Sequence, residues 1–378
     1  MKYFLIFGNH PELALAEIYS VLGDNTQYLS FVQGTLIFDT PALDASQLIK
    51  RLGGTVKIGQ IAGTMQNLAS EMPTTLASLL NQAILPFFGI SLYGAKFNFL
   101  PIALELKKTL KIKGRAPRFV VGRELVLSSV IVEQNKLTRG GVEIVIIKDG
   151  VNYWYGRTLA VQPFKELSAR DYGRPARDDA SGMLPPKVAL TLLNLAEALP
   201  AGEIYDPFCG SGTILSEAAM IGVPILLGSD ISQRAVGDTT DNLTWLNKQT
   251  NGSEIEFEVI KSDARKLLSL WPGKTFRAIA FEGFLGPQRG KVDWRQTLPE
   301  LAILYNEVLP LLHRRMEPGS RVVMALPYIP SIKQGLAIRY SGWKRPKLFP
   351  ESLQLVSTPL LYGRAGQKVW REIIVLAK

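Results

Sequence analysis

Apolar positions along this chain change their period from one stretch to the next, and the changes divide it. Over residues 1–65, the runs Tyr3–Phe7, Tyr28–Val32, Thr35–Phe38 and Val56–Ala62 have the length and composition of strands. Between them, Glu12–Leu22 and Ala45–Leu52 read as helices. The predicted order, strand, helix, strand, strand, helix, strand, is that of a ferredoxin-like split unit. Residues 66–167 predict a second α/β unit, with a strand at Gly89–Tyr93, a helix at Pro101–Lys111, and strands Glu143–Lys148 and Asn152–Leu159 joined by Asp149-Gly150. An Asp-Gly pair between two such runs signals a hairpin, because both residues accept the positive φ of a tight turn. Residues 168–183 are polar, carry Arg170, Arg174 and Arg177, and predict a linker. From Leu184 to Lys378 strands and helices alternate, the pattern of a doubly wound sheet. The expected fold class is α/β throughout.

Candidate chemistry concentrates in the last unit. A short apolar strand, Glu203 to Tyr205, runs into Asp206-Pro207-Phe208-Cys209-Gly210-Ser211-Gly212-Thr213, and a helical pattern follows over Ile214–Ile221. A strand ending in a glycine-containing turn that opens a helix is where open α/β sheets hold nucleotide-like ligands. Gly210 and Gly212 let such a ligand approach the backbone closely. The next strand, Ile225–Ser229, ends at Asp230, where a carboxylate takes both hydroxyls of a ribose. Asp263 follows the third strand, Glu256–Ile260, as an acceptor for an adenine amino group. The fourth strand, Ala278–Phe281, ends in Glu282-Gly283-Phe284-Leu285. Parallel strands end on one edge, so these positions converge on one crevice. Each acidic residue alone is more often a helix cap; together they favour a cofactor site. The dinucleotide fingerprint G-x-G-x-x-G is absent, and the turn instead resembles motif I of S-adenosylmethionine (SAM) dependent methyltransferases.

Three further segments extend the resemblance nearly end to end. They are R-D-Y-G-R-P-A-R-D (Arg170 to Asp178), G-M-L-P-P-K (Gly182 to Lys187) and G-Q-K-V-W-R-E-I (Gly366 to Ile373). With the motif I turn, they resemble the archaeal-type tRNA guanosine-10 N2-methyltransferase family. The resemblance implies a ferredoxin-like domain over 1–65, a THUMP RNA-binding domain over 66–167, and a Rossmann-like methyltransferase domain over 184–378. It implies SAM as cofactor and tRNA as substrate. The implied cofactor site draws on Pro185 and Lys187, on Asp206, Phe208, Gly210, Gly212 and Thr213, and on Asp230, Ile231, Asp263 and Ala264. Glu282 and Phe284 fall at the target base. That family ends its fourth strand in D-P-P-Y or a close relative. Here E-G-F-L sets the charge one methylene further out, loses a proline's stiffness at Gly283, and offers an aromatic face at Phe284, one position early. The chemistry needs such a carboxylate. The exocyclic amine of guanine is a poor nucleophile, because its lone pair is delocalised into the ring. Hydrogen bonds from its N–H groups to a carboxylate localise that pair, and in-line placement lowers much of the barrier.

Composition and charge narrow the rest. The 378 residues are 47% hydrophobic and 20% charged, as in a globular protein. No apolar run nears the roughly 20 residues of a membrane span, so no membrane partner is expected. The first strand reaches Gly8-Asn9-His10 too soon for a signal peptide, and the expected compartment is the cytoplasm. A single cysteine, Cys209, excludes an internal disulfide, and His10 and His313 are far apart, so no metal is expected. Cys209 lies in the cofactor turn and is not expected to act as a nucleophile. The net charge of +10 is a modest signal for a polyanionic partner. On helix 101–111, Ile102, Leu106 and Leu110 share one face while Lys107, Lys108 and Lys111 lie off it, and Lys113 and Arg115 follow. A solvated basic face is the plain explanation; position in a THUMP-like unit makes these residues the candidate RNA-phosphate contacts. Three readings follow: tRNA guanine-N2 methylation, amino-methylation of another RNA site or of DNA adenine, and a SAM-binding but inactive RNA-binding protein, the last motivated by E-G-F-L. No protein partner subunit is assigned.

Overall fold

A computed structural model describes residues 1–81, 86–112, 117–122, 124–177, 183–249, 255–287, 292–355 and 359–378. Strands β1 (Lys2–Phe7), β2 (Gln27–Val32), β3 (Thr35–Asp39) and β4 (Thr55–Met65) pair antiparallel in the order β2-β3-β1-β4. Helices α1 (Pro11–Leu22) and α2 (Ala45–Arg51) complete this split unit. Asp44 sets the start of α2 by accepting from the N–H groups of Ser46 and Gln47 at 2.9 and 3.0 Å.

The sheet does not stop at β4. The second unit contributes α3 (Leu68–Asn81), β5 (Phe87–Tyr93), α4 (Leu100–Ile112), β6 (Arg118–Val120), α5 (Ser129–Gln134), β7 (Val142–Asp149) and β8 (Asn152–Val161). β8 pairs antiparallel with β4, and the order continues β8-β7-β5-β6, so the two N-terminal units share one eight-stranded sheet. A buried ionic network crosses the join. Lys57 of β4 donates to Glu143 of β7 at 2.5 Å and to the Leu127 carbonyl at 2.6 Å, while Ser91 of β5 and Thr158 of β8 also donate to Glu143. Burial lowers the Lys57 pKa and the Glu143 charge opposes it. A buried charge survives in this way only when its partners are all present.

The third unit begins with α6 (Phe164–Tyr172), α7 (Pro186–Leu195) and the short α8 (Ala198–Ala201). Then come β9 (Glu203–Asp206), α9 (Thr213–Met220), β10 (Ile225–Asp230), α10 (Gln233–Asn247), β11 (Glu256–Lys261) and β12 (Phe276–Glu282). It closes with α11 (Trp294–Arg315), β13 (Met316–Tyr328), β14 (Leu360–Tyr362) and β15 (Trp370–Ala377). The strand order is β11-β10-β9-β12-β13-β15-β14, parallel through β13 and antiparallel for the last two. This is a Rossmann-like sheet. One face is covered by α7, α9 and α10 through residues such as Leu192, Leu215 and Leu243; the other by α11 through Tyr305, Leu309 and Leu312. The chain reverses direction across the sheet between β9 and β12, which opens a crevice at their carboxyl ends.

Several contacts join the halves, those of α1 and Gly53 with α7 among them. Glu17 of α1, fully buried, accepts from the N–H groups of Gly53 and Gly54, both at 2.8 Å, and from Asn194 of α7 at 2.7 Å. A Cβ on Gly53 would stand 1.8 Å from the Lys187 carbonyl, so only glycine lets α7 begin this close. The polar stretch 168–183 is helical as far as Tyr172, and Arg170 clamps Glu217 of α9 at 2.6 and 2.8 Å. The Ala176 N–H donates to Oδ1 of Asn242 on α10 at 3.0 Å, and the Ala176 carbonyl accepts from Asn242 Nδ2 at 2.9 Å. Arg170 and Arg174 meet buried partners, and 178–182 lie outside the described residues. Among the described residues, no helix is long and apolar enough to cross a membrane.

Candidate functional site

The turn from β9 to α9 is held from two sides. The Cys209 N–H donates to the Ser229 carbonyl at 3.0 Å and the Gly212 N–H to the Cys209 carbonyl at 2.7 Å. Gly210 and Gly212 have φ of +54° and +77°, a region that favours glycine. They serve different ends. A Cβ on Gly212 would lie 2.7 Å from Thr239, so packing of α9 against α10 demands the glycine there. A Cβ on Gly210 would meet nothing within 4 Å and would project into open space, a cradle left clear for a ligand. Asp230 ties the turn to β10, its carboxylate accepting from the N–H of Gly210 at 3.0 Å and of Ser232 at 2.9 Å.

A cleft of about 880 Å³ opens at the carboxyl ends of β9, β10, β11 and β12. Phe208 and Gly210 line it from the first turn, Asp230 and Ile231 from the second, Asp263 and Ala264 from the third. Glu282 and Phe284 line it from the fourth. These eight expected site residues are thus brought together. Asp206, Gly212 and Thr213 stand behind the turn. Asp206 is buried and accepts from the Phe208 N–H at 3.0 Å; burial pushes its carboxyl well above the usual range, and the Asp230 and Glu282 charges push the same way. Thr213 accepts from buried Arg174 at 2.7 Å. Pro185 and Lys187 border neighbouring openings, Pro185 one that shares Leu285 and Pro287 with this cleft, and α7 starts against Gly53.

The acidic groups of the cleft differ in what already holds them. Asp263 caps the 3-10 turn Ala264–Ser269 through the Arg265 N–H and is gripped by the Arg265 guanidinium at 2.6–3.1 Å, which keeps its carboxyl below the usual range. Glu282 accepts from Nε of Arg371, a buried residue of β15. Burial raises the Glu282 pKa more than Arg371 lowers it. Arg371 lies in the G-Q-K-V-W-R-E-I segment, whose motif character was the one sequence signal for a residue with no expected role.

The departure at Gly283 has a structural cause. Its N–H donates to the Ala325 carbonyl at 3.0 Å, extending the β12·β13 ladder by one bond that proline cannot make. A Cβ there would meet the Tyr305 hydroxyl at 2.3 Å and Leu326 at 2.9 Å. The same hydroxyl donates to the Phe284 carbonyl at 3.2 Å. Leu285 turns inward, and Phe284, 57% exposed, presents its ring to the cleft. Cys209 is buried, and that burial pushes its thiol up. In the second unit, Ala103, Leu106 and Leu110 of α4 are buried and Lys107, Lys108 and Lys111 exposed; Lys113 and Arg115 lie outside the described residues.

Comparison with known proteins agrees with this geometry. Residues 174–270 match the RMKL-like methyltransferase domain. The chain is 27% identical over 342 residues to the tRNA (guanine(10)-N2)-dimethyltransferase of Methanothermobacter thermautotrophicus, covering 89% of this chain and 92% of the relative. To the protein of the same name from Pyrococcus abyssi it is 30% identical over 190 residues, 49% of this chain and 50% of that one. Among solved structures, TrmN from Thermus thermophilus aligns over 100% of both chains with a TM-score of 0.54 at 17% identity, a likeness of fold.

Proposed function

We propose that this chain, which belongs to the archaeal-type tRNA guanine-N2 methyltransferase family, methylates the exocyclic N2 of a tRNA guanosine, most simply at position 10, using SAM. The observation that carries this reading is the placement of Glu282 at the end of β12, on the same cleft as Gly210, Asp230 and Asp263. SAM, when bound, supplies an electrophilic methyl group. The open cradle at Gly210 and the carboxylate of Asp230 suit its backbone approach and its ribose, and Asp263 faces the adenine end. Glu282 takes an N–H of the target amine on the oxygen that Arg371 leaves free. A backbone carbonyl of the same turn is the second acceptor. A carboxyl raised by burial also suits the proton that the amine must shed as its new N–C bond forms. Phe284 offers a face for the base. The exposed lysines of α4 hold tRNA phosphates, and a paired guanosine must leave its stack to reach Glu282. The reading places the protein in the cytoplasm.

Single-turnover transfer from labelled SAM to unmodified tRNA, followed by nucleoside analysis, tests the reading. Label in N2-methylated guanosine, lost when guanosine 10 is replaced, is the expected result. A protein that binds both SAM and tRNA yet labels no nucleoside would leave the inactive RNA-binding reading standing.

A further inference from the structure

The turn after β12 has an opening on each side. Leu285 and Pro287, which border the cofactor cleft, also border a second cleft of about 640 Å³ whose walls carry Tyr172, Trp294, Arg364 and Lys368. A third opening, of about 270 Å³, lies where the first unit meets α7 and is bordered by His10, Lys187 and Arg364. Tyr362 and Arg364 line both of these, so the two openings lie side by side between the junction of the halves and the end of β12, and together are called the groove here. Arg371 in its wall is committed to Glu282. Among the described residues, the side chains of Lys187, Arg364 and Lys368 make no ion pair or hydrogen bond.

Exposed cations that merely face water are common, and two observations set these apart. First, Arg364 and Lys187 sit close enough to act on one another. After partial desolvation, the Arg364 charge is a cause of the lowered pKa of Lys187, and it also lowers that of His10. A carboxyl of this wall, Asp171, is raised by burial against the pull of Arg174, Arg177 and Arg364. A concentration of like charge in a concave wall favours an anion. Second, the loop carrying Arg364 is built. The Arg364 N–H donates to Gln367 Oε1 at 2.9 Å, the Gln367 N–H returns to the Arg364 carbonyl at 3.1 Å, and Gly363 lies so close on Trp370 that a Cβ would stand 2.2 Å from the ring.

We propose that this groove is a phosphodiester track, in which Lys187, Arg364 and Lys368 hold the RNA backbone beside a base extruded toward Glu282. The shared wall at Leu285 and Pro287 sets an occupant of the groove next to the target position. Tyr172, 66% exposed, and Trp294 offer stacking faces for flanking bases. Lys187, expected at the cofactor from its motif, belongs to this track instead. The identity of the RNA rests on the proposed methyl transfer; the track itself does not.

Full-length Lys187→Gln, Arg364→Gln and Lys368→Gln proteins, and their triple combination, test it by tRNA anisotropy across a salt series, with SAM affinity measured alongside. Each lost contact should reduce the log–log salt slope by about 0.7–0.9, and the triple variant by roughly 2. At fixed low salt the triple variant should bind tRNA about tenfold or more weakly, with SAM affinity unchanged. Arg364→Lys should restore the slope that Arg364→Gln loses. Wild-type tRNA affinity and slope in a folded triple variant would overturn the proposal, and so would lost SAM affinity in Lys187→Gln. Because binding is read without turnover, a wild-type protein that uses the groove but transfers no methyl would sink the catalytic reading alone.

Discussion

Arg371 of β15 reaches past the intervening strand β13 to donate its Nε–H to Oε1 of Glu282 on β12. Burial and the guanidinium act on that carboxyl in opposite directions, and burial is the larger. Removing the cation removes the lowering influence, so the Glu282 pKa should rise further. Arg371→Met should therefore move the acidic limb of the pH–rate profile to higher pH, while Arg371→Lys keeps it nearer the wild type. Glu282→Gln should cut the rate by orders of magnitude with SAM affinity little changed, the mark of an interaction used in the transition state. An unmoved limb in a folded Arg371→Met protein would show that the pair is structural only.

Gly283 and Tyr305 should be coupled. Adding a methyl at Gly283 drives it into the Tyr305 hydroxyl, and overpacking of this kind costs about 1–3 kcal/mol. Tyr305→Phe removes the nearest atom, so the double variant Gly283→Ala/Tyr305→Phe should be more stable than the sum of the single changes by about 0.5 kcal/mol or more. Denaturant melts of the four proteins measure this, and strict additivity would refute the coupling.

At Asp230, loss of charge-assisted hydrogen bonds worth about 1.5–3 kcal/mol should weaken SAM binding roughly tenfold to a hundredfold in Asp230→Ala. The same carboxylate holds the Gly210 and Ser232 N–H groups, so Asp230→Asn, which keeps one acceptor, should fall between. Calorimetry with unchanged affinity in folded Asp230→Ala protein would take this residue out of the site.

Asp206 carries a stability signature. Its folded pKa stands well above the ordinary value of 3.8, with burial the main cause. A raised acid contributes stability that is fully present below its unfolded pKa and lost as pH rises through the folded one. Asp206→Asn keeps an acceptor for the Phe208 N–H without that penalty. The melting temperature of the variant minus that of the wild type should grow as pH rises above about 4. A difference independent of pH would mean that Asp206 is not destabilised by its charge.

Lys107, Lys108 and Lys111 make a separable prediction. Their triple replacement by glutamine should flatten the tRNA salt slope by about 0.7–0.9 for each phosphate contact removed and leave SAM binding intact. Combined with the groove variants, the two losses should add. Wild-type salt dependence would return these lysines to the status of a solvated face.

Local chemistry explains what could be read from residues alone. The Asp149-Gly150 turn announces the β7·β8 hairpin, and Gly210, Asp230, Asp263 and Glu282 announce four strand ends on one edge. Helices α3 and α11 were hidden because Pro73, Pro299 and Pro310 lie inside them, and proline usually marks a helix end. Pro318-Gly319 and Pro327 likewise hide β13. Pairings between distant segments leave no local trace. Nothing near Arg371 says that it will meet Glu282, and nothing in Leu184-Pro185-Pro186-Lys187 says that α7 will start against Gly53. The same holds for β4, whose free edge carries no mark of β8 as its neighbour.

That shared strand turns the N-terminal half into a single plate. The plate carries the lysines of α4 at one place and, through Glu17 and Asn194, is fastened to the unit that holds Glu282 at another. Under the proposed function these are two jaws of a caliper, and the RNA that fits is the one whose contacts match the span between them.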